Sequence, residues 1–147
     1  MSKRTELKPE EKVRIEFIDK LLKKTGWTLL EEKAKIPSQG YYAAQEVEIK
    51  GKFADYILYE NGKPIAIIEA KREGDASLES ALQQAKLRYE ERTSESYDNS
   101  SIYNVPFIFA VNTKRDPKNN LVPNIKLWDL RSKTSRSRDV FSFYTPR

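Results

Sequence analysis

At 147 residues the chain has the length of one domain, large enough for a core that needs no covalent staples. It contains no Cys and no His, which excludes disulfide frameworks, thiolate chemistry, Ser-His and Cys-His catalysis and ordinary zinc sites, so any metal must have oxygen ligands, as magnesium and manganese do. With 38% hydrophobic and 33% charged residues the composition is that of a globular domain with a wet surface; no apolar run is long enough to cross a bilayer and Met1-Ser-Lys-Arg4 is not followed by an apolar signal segment, so the cytoplasm is the expected location.

The net charge of +5 is unevenly spread. From Asn112 to Arg147 nine basic residues face three acidic ones, a local excess of +6 that suits a polyanionic partner and equally serves solubility. In chain order, Lys8 to Thr25 has helical spacing, with Val13, Phe17 and Leu21 on one stripe, Pro9 in the first turn and Gly26 at the stop. Trp27 to Leu30 is a short apolar segment, and Pro37 to Gly40 a loop. Tyr41 to Lys50 alternates as a strand with one dry face. Phe53 to Lys71, FADYILYENGKPIAIIEAK, is a β-hairpin.

Ser77 then caps a second helix, expected to reach about Thr93, with Leu78, Ala81, Leu82, Ala85 and Tyr89 on its apolar stripe. Val105 to Val111 reads as a strand covered on both faces, Asp116 to Pro123 as a loop, and Ile125 to Asp129 and Val140 to Tyr144 as two strands around the basic segment Arg131 to Arg138. The order predicts an α/β or α+β domain, a mixed central sheet flanked by helices, over residues 1–147.

The hairpin carries the chemistry. Five Glu-x-Lys tripeptides occur, but only Glu69-Ala70-Lys71 ends an apolar strand that follows a strand interrupted by an acid, Asp55. Asp55, Glu69 and the carbonyl of Ala70 form an oxygen set for one or two Mg²⁺ ions, or Mn²⁺. Lys71, on the same side of its strand as Glu69, would then position water and offset charge at a phosphoryl group. This requires Asp55 and Glu69 to share a face, and so predicts a three-residue turn, Glu60-Asn61-Gly62, in which Tyr59 pairs with Lys63 and Gly62 forms the bulge. With a two-residue Asn61-Gly62 turn and no other bulge, the acids would face opposite sides. The plainer alternatives are that Asp55 is a structural acid bonded to backbone amides and that Lys71 is a strand-end lysine reaching for solvent. Glu16, on the first helix, reads as a solvated acid.

Asp55 followed across a hairpin by Glu69-Ala70-Lys71 resembles the active-site motif of the PD-(D/E)XK nuclease superfamily. More closely, ADYILYENGKPIAIIEAKR resembles the endonuclease region near the N terminus of type I restriction enzyme R (restriction) subunits. Gly26-Trp27, Gln84-Ala85, Val105-Pro-Phe107, Trp128-Asp-Leu-Arg131 and Phe141-Ser-Phe143 agree with it. The resemblance implies a Mg²⁺-dependent DNA endonuclease with Asp55, Glu69 and Lys71 in the site and Gln84 contributed by the following helix. It further implies that the chain is the N-terminal part of a longer subunit, acting on double-stranded DNA in a complex with modification and specificity subunits and ATP-driven motor domains.

The sequence departs from the pattern at Ala54, where Pro is usual, and at Arg88, which occupies the slot of a Tyr; Tyr89 is one residue further on. No G-x-x-x-x-G-K-[ST] loop is present, so no ATP site is expected in this chain. Arg131, Lys133, Arg136 and Arg138, interleaved with Ser and Thr, are candidates for DNA phosphate contacts, or else a solvated tip. A structure-selective or repair nuclease of the same superfamily, and a noncatalytic nucleic-acid-binding or assembly module, are the alternative functions.

Overall fold

A computed structural model describes residues 13, 17–31, 33–49, 52–72, 78–85, 105–129, 137–140 and 143. The elements are α1 (Asp19–Lys24), β1 (Thr28–Leu29), β2 (Tyr41–Ile49), β3 (Lys52–Glu60), β4 (Lys63–Ala70), a helical stretch at 78–85 (α2), β5 (Phe107–Arg115), β6 (Leu121–Asp129) and β7 (Arg138–Val140). All seven strands join one sheet in chain order. The pairs β1/β2 and β4/β5 are parallel and the other four antiparallel. The parallel step between β4 and β5 requires a crossover, and α2 lies within it. The fold is thus a mixed α+β domain, as the order of elements predicts.

The sheet is covered on both faces. On one, Ile18, Leu22 and Trp27 pack with Tyr56, Leu58, Ile68, Phe109, Val111 and Leu127. On the other, Leu78, Leu82 and Ala85 of α2 pack with Ile57, Ile67 and Ile108. Strands β3 to β5 therefore read as nearly continuous apolar runs, because neither face meets water. Each fully buried Ile or Leu contributes about 1.5–3 kcal/mol of transfer free energy.

Gly26 ends α1 through its left-handed backbone (φ 103°). The Trp27 amide donates to the Leu22 carbonyl and the Gly26 amide to that of Lys23, at 2.9 and 3.1 Å, the double closure of a Schellman motif. Trp27 is thereby turned into the core, edge-to-face with Tyr41 at 6.1 Å. Tyr56 of β3 donates its hydroxyl to Asp19, which ties α1 to the strand that carries Asp55. Of the expected first helix before Asp19 only Val13, Phe17 and Ile18 are among the described residues, and all three are helical; the second helix beyond Ala85 and the Ser77 cap lie outside them.

Several boundaries differ from the sequence reading, and β5 runs Phe107–Arg115 where Val105–Val111 was expected. The Trp27–Leu30 segment contributes an edge strand, β1, and the expected loop at Asp116–Pro123 shrinks to residues 116–120, since β6 begins at Leu121 and runs through Pro123. Pro is tolerated there because described pairing to β7 stops at Ile125, so that stretch of β6 has a neighbour only in β5. Asp116 closes the shorter loop by accepting the amides of Lys118 and Asn120 at 2.9 and 2.8 Å. The last strand likewise starts earlier than expected, at Arg138, and Phe143 beyond it packs edge-to-face on Phe109 at 5.2 Å.

Candidate active site

The hairpin corrects the predicted turn. Glu60 pairs with Lys63 and Tyr59 with Pro64, so the loop is the two-residue Asn61-Gly62, with both residues left-handed (φ 50° and 81°). The register then shifts: Leu58 pairs with Ala66, leaving Ile65 as the extra residue of a β-bulge in β4. Pro64 lacks an amide hydrogen and cannot complete a regular ladder, which makes its neighbourhood the natural place for the irregularity. Beyond the bulge Ile57 pairs with Ile67 and Tyr56 with Ile68, and counting on by one residue sets Asp55 opposite Glu69. A two-residue turn without the bulge would have set Asp55 opposite Ile68.

The turn is anchored from outside the hairpin. Asn61 donates its amide to the Gly40 carbonyl and accepts the Gly40 amide on its side-chain oxygen, both at 2.8 Å. A side chain on Gly62 would come within 3.4 Å of the Ser38 backbone, and its positive φ also favours glycine.

The described β3/β4 pairing stops at Tyr56/Ile68, and the next amide on that side of β4, from Ala70, goes to the carboxylate of Asp55 at 2.7 Å. Asp55 is half-buried, Ala70 4% exposed and Glu69 8% exposed, so both carboxylates stand at the margin of the core. The amide of Lys71 points the other way, to the Val111 carbonyl of β5 at 2.8 Å. Amide and carbonyl directions alternate along a strand, so the Ala70 carbonyl points to the β3 side, as its amide does. Lys71 itself is half-buried just past the end of β4.

Asp55, Glu69, Ala70 and Lys71 are thus brought together at the end of the β3/β4 ladder. Their oxygen donors are of the kind that suits a hard divalent cation. Among the described residues no group of three or more acidic side chains forms, so the oxygen set rests on two carboxylates and a carbonyl. Gln84 lies on α2 one residue before Ala85, which packs on the Ile57/Ile67 face, and its own side chain is exposed. Arg88 and Tyr89 lie outside the described residues, as do Glu16, Arg131, Lys133 and Arg136; Arg138 is exposed at the start of β7.

Two features escaped the sequence reading. Asn112 is buried at 1% exposure and accepts a hydrogen bond from Asn124 at 2.9 Å. Continuing the parallel register from Ala70/Val111 sets Asn112 beside Lys71. A polar residue directly after VPFIFAV was the signal for it. The second is Glu46, which has a left-handed backbone (φ 52°) and stands across β3 from Asp55, between the pairs Gln45/Tyr56 and Val47/Ala54. Ala54 packs with the α2-side cluster beside Ile57, so strict alternation along β3 ends at this point.

Beside the site, Lys126 binds Asp139 at 2.9 Å and approaches Glu79 of α2 at 3.8 Å, and Ser137 donates to Glu79 at 2.5 Å. Asp139 has its carboxyl held below the usual range, first by the hydrogen bond from Lys126 and then by the attraction of that charge.

A seven-stranded mixed sheet with helices on its faces defines the class, an α+β domain. The profile of the family described as "Type I restriction enzyme EcoKI endonuclease subunit second domain" matches residues 28–147, and the chain belongs to that family. The match begins at β1 and takes in the whole sheet. No curated protein matches the chain. Among the described residues no helix is long and apolar enough to cross a membrane.

Proposed function

We propose that this chain is a metal-dependent DNA endonuclease domain, the cleavage module of a type I restriction enzyme R subunit, with a PD-(D/E)XK core. The observation that carries the proposal is the Asp55–Ala70 hydrogen bond at 2.7 Å, which holds one acid against the Glu69-Ala70-Lys71 strand end in a chain of the restriction endonuclease-subunit family. The element order α1, β2–β3–β4, α2, β5 supports the core assignment.

Asp55, Glu69 and the Ala70 carbonyl would hold Mg²⁺ or Mn²⁺. When bound, such an ion offsets the charge that develops on the phosphoryl oxygens during hydrolysis. The Ala70 amide fixes the orientation of Asp55. Lys71 orients the attacking water and adds positive charge beside the scissile phosphate. Gln84 would join the catalytic site from α2, and the basic residues Arg131, Lys133, Arg136 and Arg138 would contact the DNA. The substrate is double-stranded DNA, delivered within a complex with modification and specificity subunits. ATP would act on motor domains elsewhere in that assembly, since this chain has no phosphate-binding loop of the Walker type.

Asp55 bonded to a backbone amide and Gln84 exposed on its helix also suit a noncatalytic domain that keeps the fold. Mg²⁺-dependent nicking of plasmid DNA by the complete assembly separates the two readings. Glu69→Gln and Lys71→Ala each abolish nicking while leaving DNA binding intact if the site is catalytic. Undiminished nicking by both variants overturns the assignment.

A further inference from the structure

The β5/β6 hairpin runs on past the strands that carry the proposed site. The last described β4/β5 pair is Ala70/Val111, whereas β5 and β6 continue together through Asn112/Asn124, Thr113/Pro123 and Lys114/Val122 to Arg115/Leu121. Those four pairs add roughly 13 Å of two-stranded ribbon, at about 3.3 Å per residue. The ribbon therefore rises from the end of the sheet at which Asp55, Glu69 and Lys71 stand. In contrast, β6 ends at Asp129, opposite Phe107, at the other end of β5.

The ribbon presents a cation on the same side of the sheet as the site. Ile108 and Ala110 pack on the α2 side and Phe109 and Val111 on the other, so regular alternation along β5 puts Asn112 and Lys114 on the α2 side. Glu69 falls between Ile68 and Ala70, both of the opposite cluster, and so shares that side. Asp139 agrees with this placement: its carboxyl is held low by Lys126 first and, more weakly, by the charge of Lys114, and Lys126 also approaches Glu79 of α2. Lys114 thus lies one two-residue step, roughly 7 Å, beyond Asn112, the neighbour of Lys71 in the continued register. Lys126, in the Glu69/Ala110 row, is instead bound to Asp139 at 2.9 Å.

The tip at 116–120 is closed on itself. Asp116 accepts the amides of Lys118 and Asn120 at 2.9 and 2.8 Å, and its own amide donates to the Asn120 carbonyl at 2.9 Å. Arg115 donates to the Asn119 carbonyl at 3.0 Å. The one acid between Asn112 and Asn124 is therefore engaged by backbone amides, while Lys114 and Lys118 are exposed.

We infer that this hairpin is a DNA-backbone-binding ribbon, with Lys114 and Lys118 contacting phosphates of the duplex beside the bond to be cut. The inference rests on the nuclease reading above and adds to it a binding surface in register with the site. Three basic residues against one acid between Asn112 and Asn124 complement a phosphodiester strand. Ammonium groups bind phosphate oxygens without reading bases, so the surface serves any sequence. A tip fixed by its own hydrogen bonds loses less freedom on binding than a loose loop would.

The test is fluorescence anisotropy of the 147-residue chain with a labelled random-sequence duplex over a salt series, with metal omitted. Each phosphate contact contributes about 0.9 to the slope of log K against log[salt], so Lys114→Gln combined with Lys118→Gln lowers the slope by about 1.8. Between about 50 and 200 mM salt the wild type then loses roughly tenfold more affinity than this variant. Lys20→Gln combined with Lys24→Gln makes the same charge change at exposed positions of α1, on the other side of the sheet, and leaves the slope unchanged. The hairpin variant also nicks plasmid DNA more slowly in the complete assembly.

A slope as steep in the hairpin variant as in the wild type, an equal fall in the α1 variant, or no salt-dependent binding by the wild type overturns the inference. An unchanged slope with nicking lost in the assembly would assign the hairpin to a protein partner and leave the nuclease reading standing. A lowered slope with nicking that survives Asp55→Asn would keep the ribbon and discard the cleavage site.

Discussion

Asp55→Asn and Asp55→Ala separate the two roles assigned to one carboxylate. Its Oδ2 accepts the Ala70 amide at 2.7 Å, and Ala70 is 4% exposed, so water has little access to replace the acceptor. Truncation to Ala leaves a buried amide without its partner, a cost of about 1–3 kcal/mol. For a domain of this size that corresponds to a fall in Tm of roughly 2–12 °C. Asn keeps a carbonyl oxygen in place and removes only the charge, so its cost is the difference between a charged and a neutral hydrogen bond, about 1 kcal/mol. Metal-dependent nicking needs the charge and is lost in both. Urea unfolding of the isolated chain and nicking by the complete assembly measure the two quantities independently. An Asp55→Ala chain as stable as wild type would show that the bond does not support the fold. An Asp55→Asn enzyme nicking at the wild-type rate would show that the carboxylate is no metal ligand.

Asn61 supplies both a left-handed backbone and the acceptor for the Gly40 amide, so Asn61→Gly costs about 0.5–1.5 kcal/mol and Asn61→Val a further 1–3 kcal/mol in urea unfolding. Tyr59 has a raised pKa because it is buried, so its phenol ionises later in the folded chain than in the unfolded one. Its contribution is present below about pH 10 and is lost as pH rises through the folded value; Tyr59→Phe should flatten the alkaline limb of the stability profile, with phenolate absorbance as the readout. Asp139 has a lowered pKa, through the hydrogen bond and then the charge of Lys126, so its contribution is present above about pH 4 and lost as pH falls through the folded value. The pair is exposed and screened, so Asp139→Asn should remove only a small, salt-sensitive part of the acid limb.

Much of the sheet was legible because its strands carry a strong local signal. VPFIFAV and IAIIEA are apolar enough to be central strands, and Gly26 marks the end of α1 where the Schellman closure forms. The site residues stood out for the complementary reason, being charges in segments with no solvated face. What the sequence did not reveal is register. Asn-Gly favours a two-residue turn, and that is the turn found; the shift that aligns Asp55 with Glu69 occurs later, at Ile65, an apolar residue with no turn chemistry of its own. A bulge is set by how two strands fit together and by the absent amide of Pro64, neither of which appears as periodicity. The left-handed backbone of Glu46 within β2 was hidden likewise, since nothing about the residue type announces it.

The polar groups at the end of the β3/β4 ladder form a band rather than a point. Asp55 and Glu69 stand opposite each other at the end of the β3/β4 ladder, and Lys71 falls beside Asn112, which is bonded to Asn124 on β6. The band therefore crosses β3, β4, β5 and β6 at the level where the apolar pairs Ile57/Ile67 and Ile67/Ile108 give out. Structural economy alone does not account for it, because apolar residues of similar shape commonly stabilise a core at least as well as paired charges do. The Asp55–Ala70 and Asn112–Asn124 bonds lower the cost of keeping polar atoms there without removing the reason to exclude them. The proposed cleavage site gives these charges a use that stability does not. The same reasoning orders the residues by expected effect: Asn112→Ala, which loosens the neighbour of Lys71 without removing any proposed ligand, should lower nicking less than Lys71→Ala does while lowering stability more.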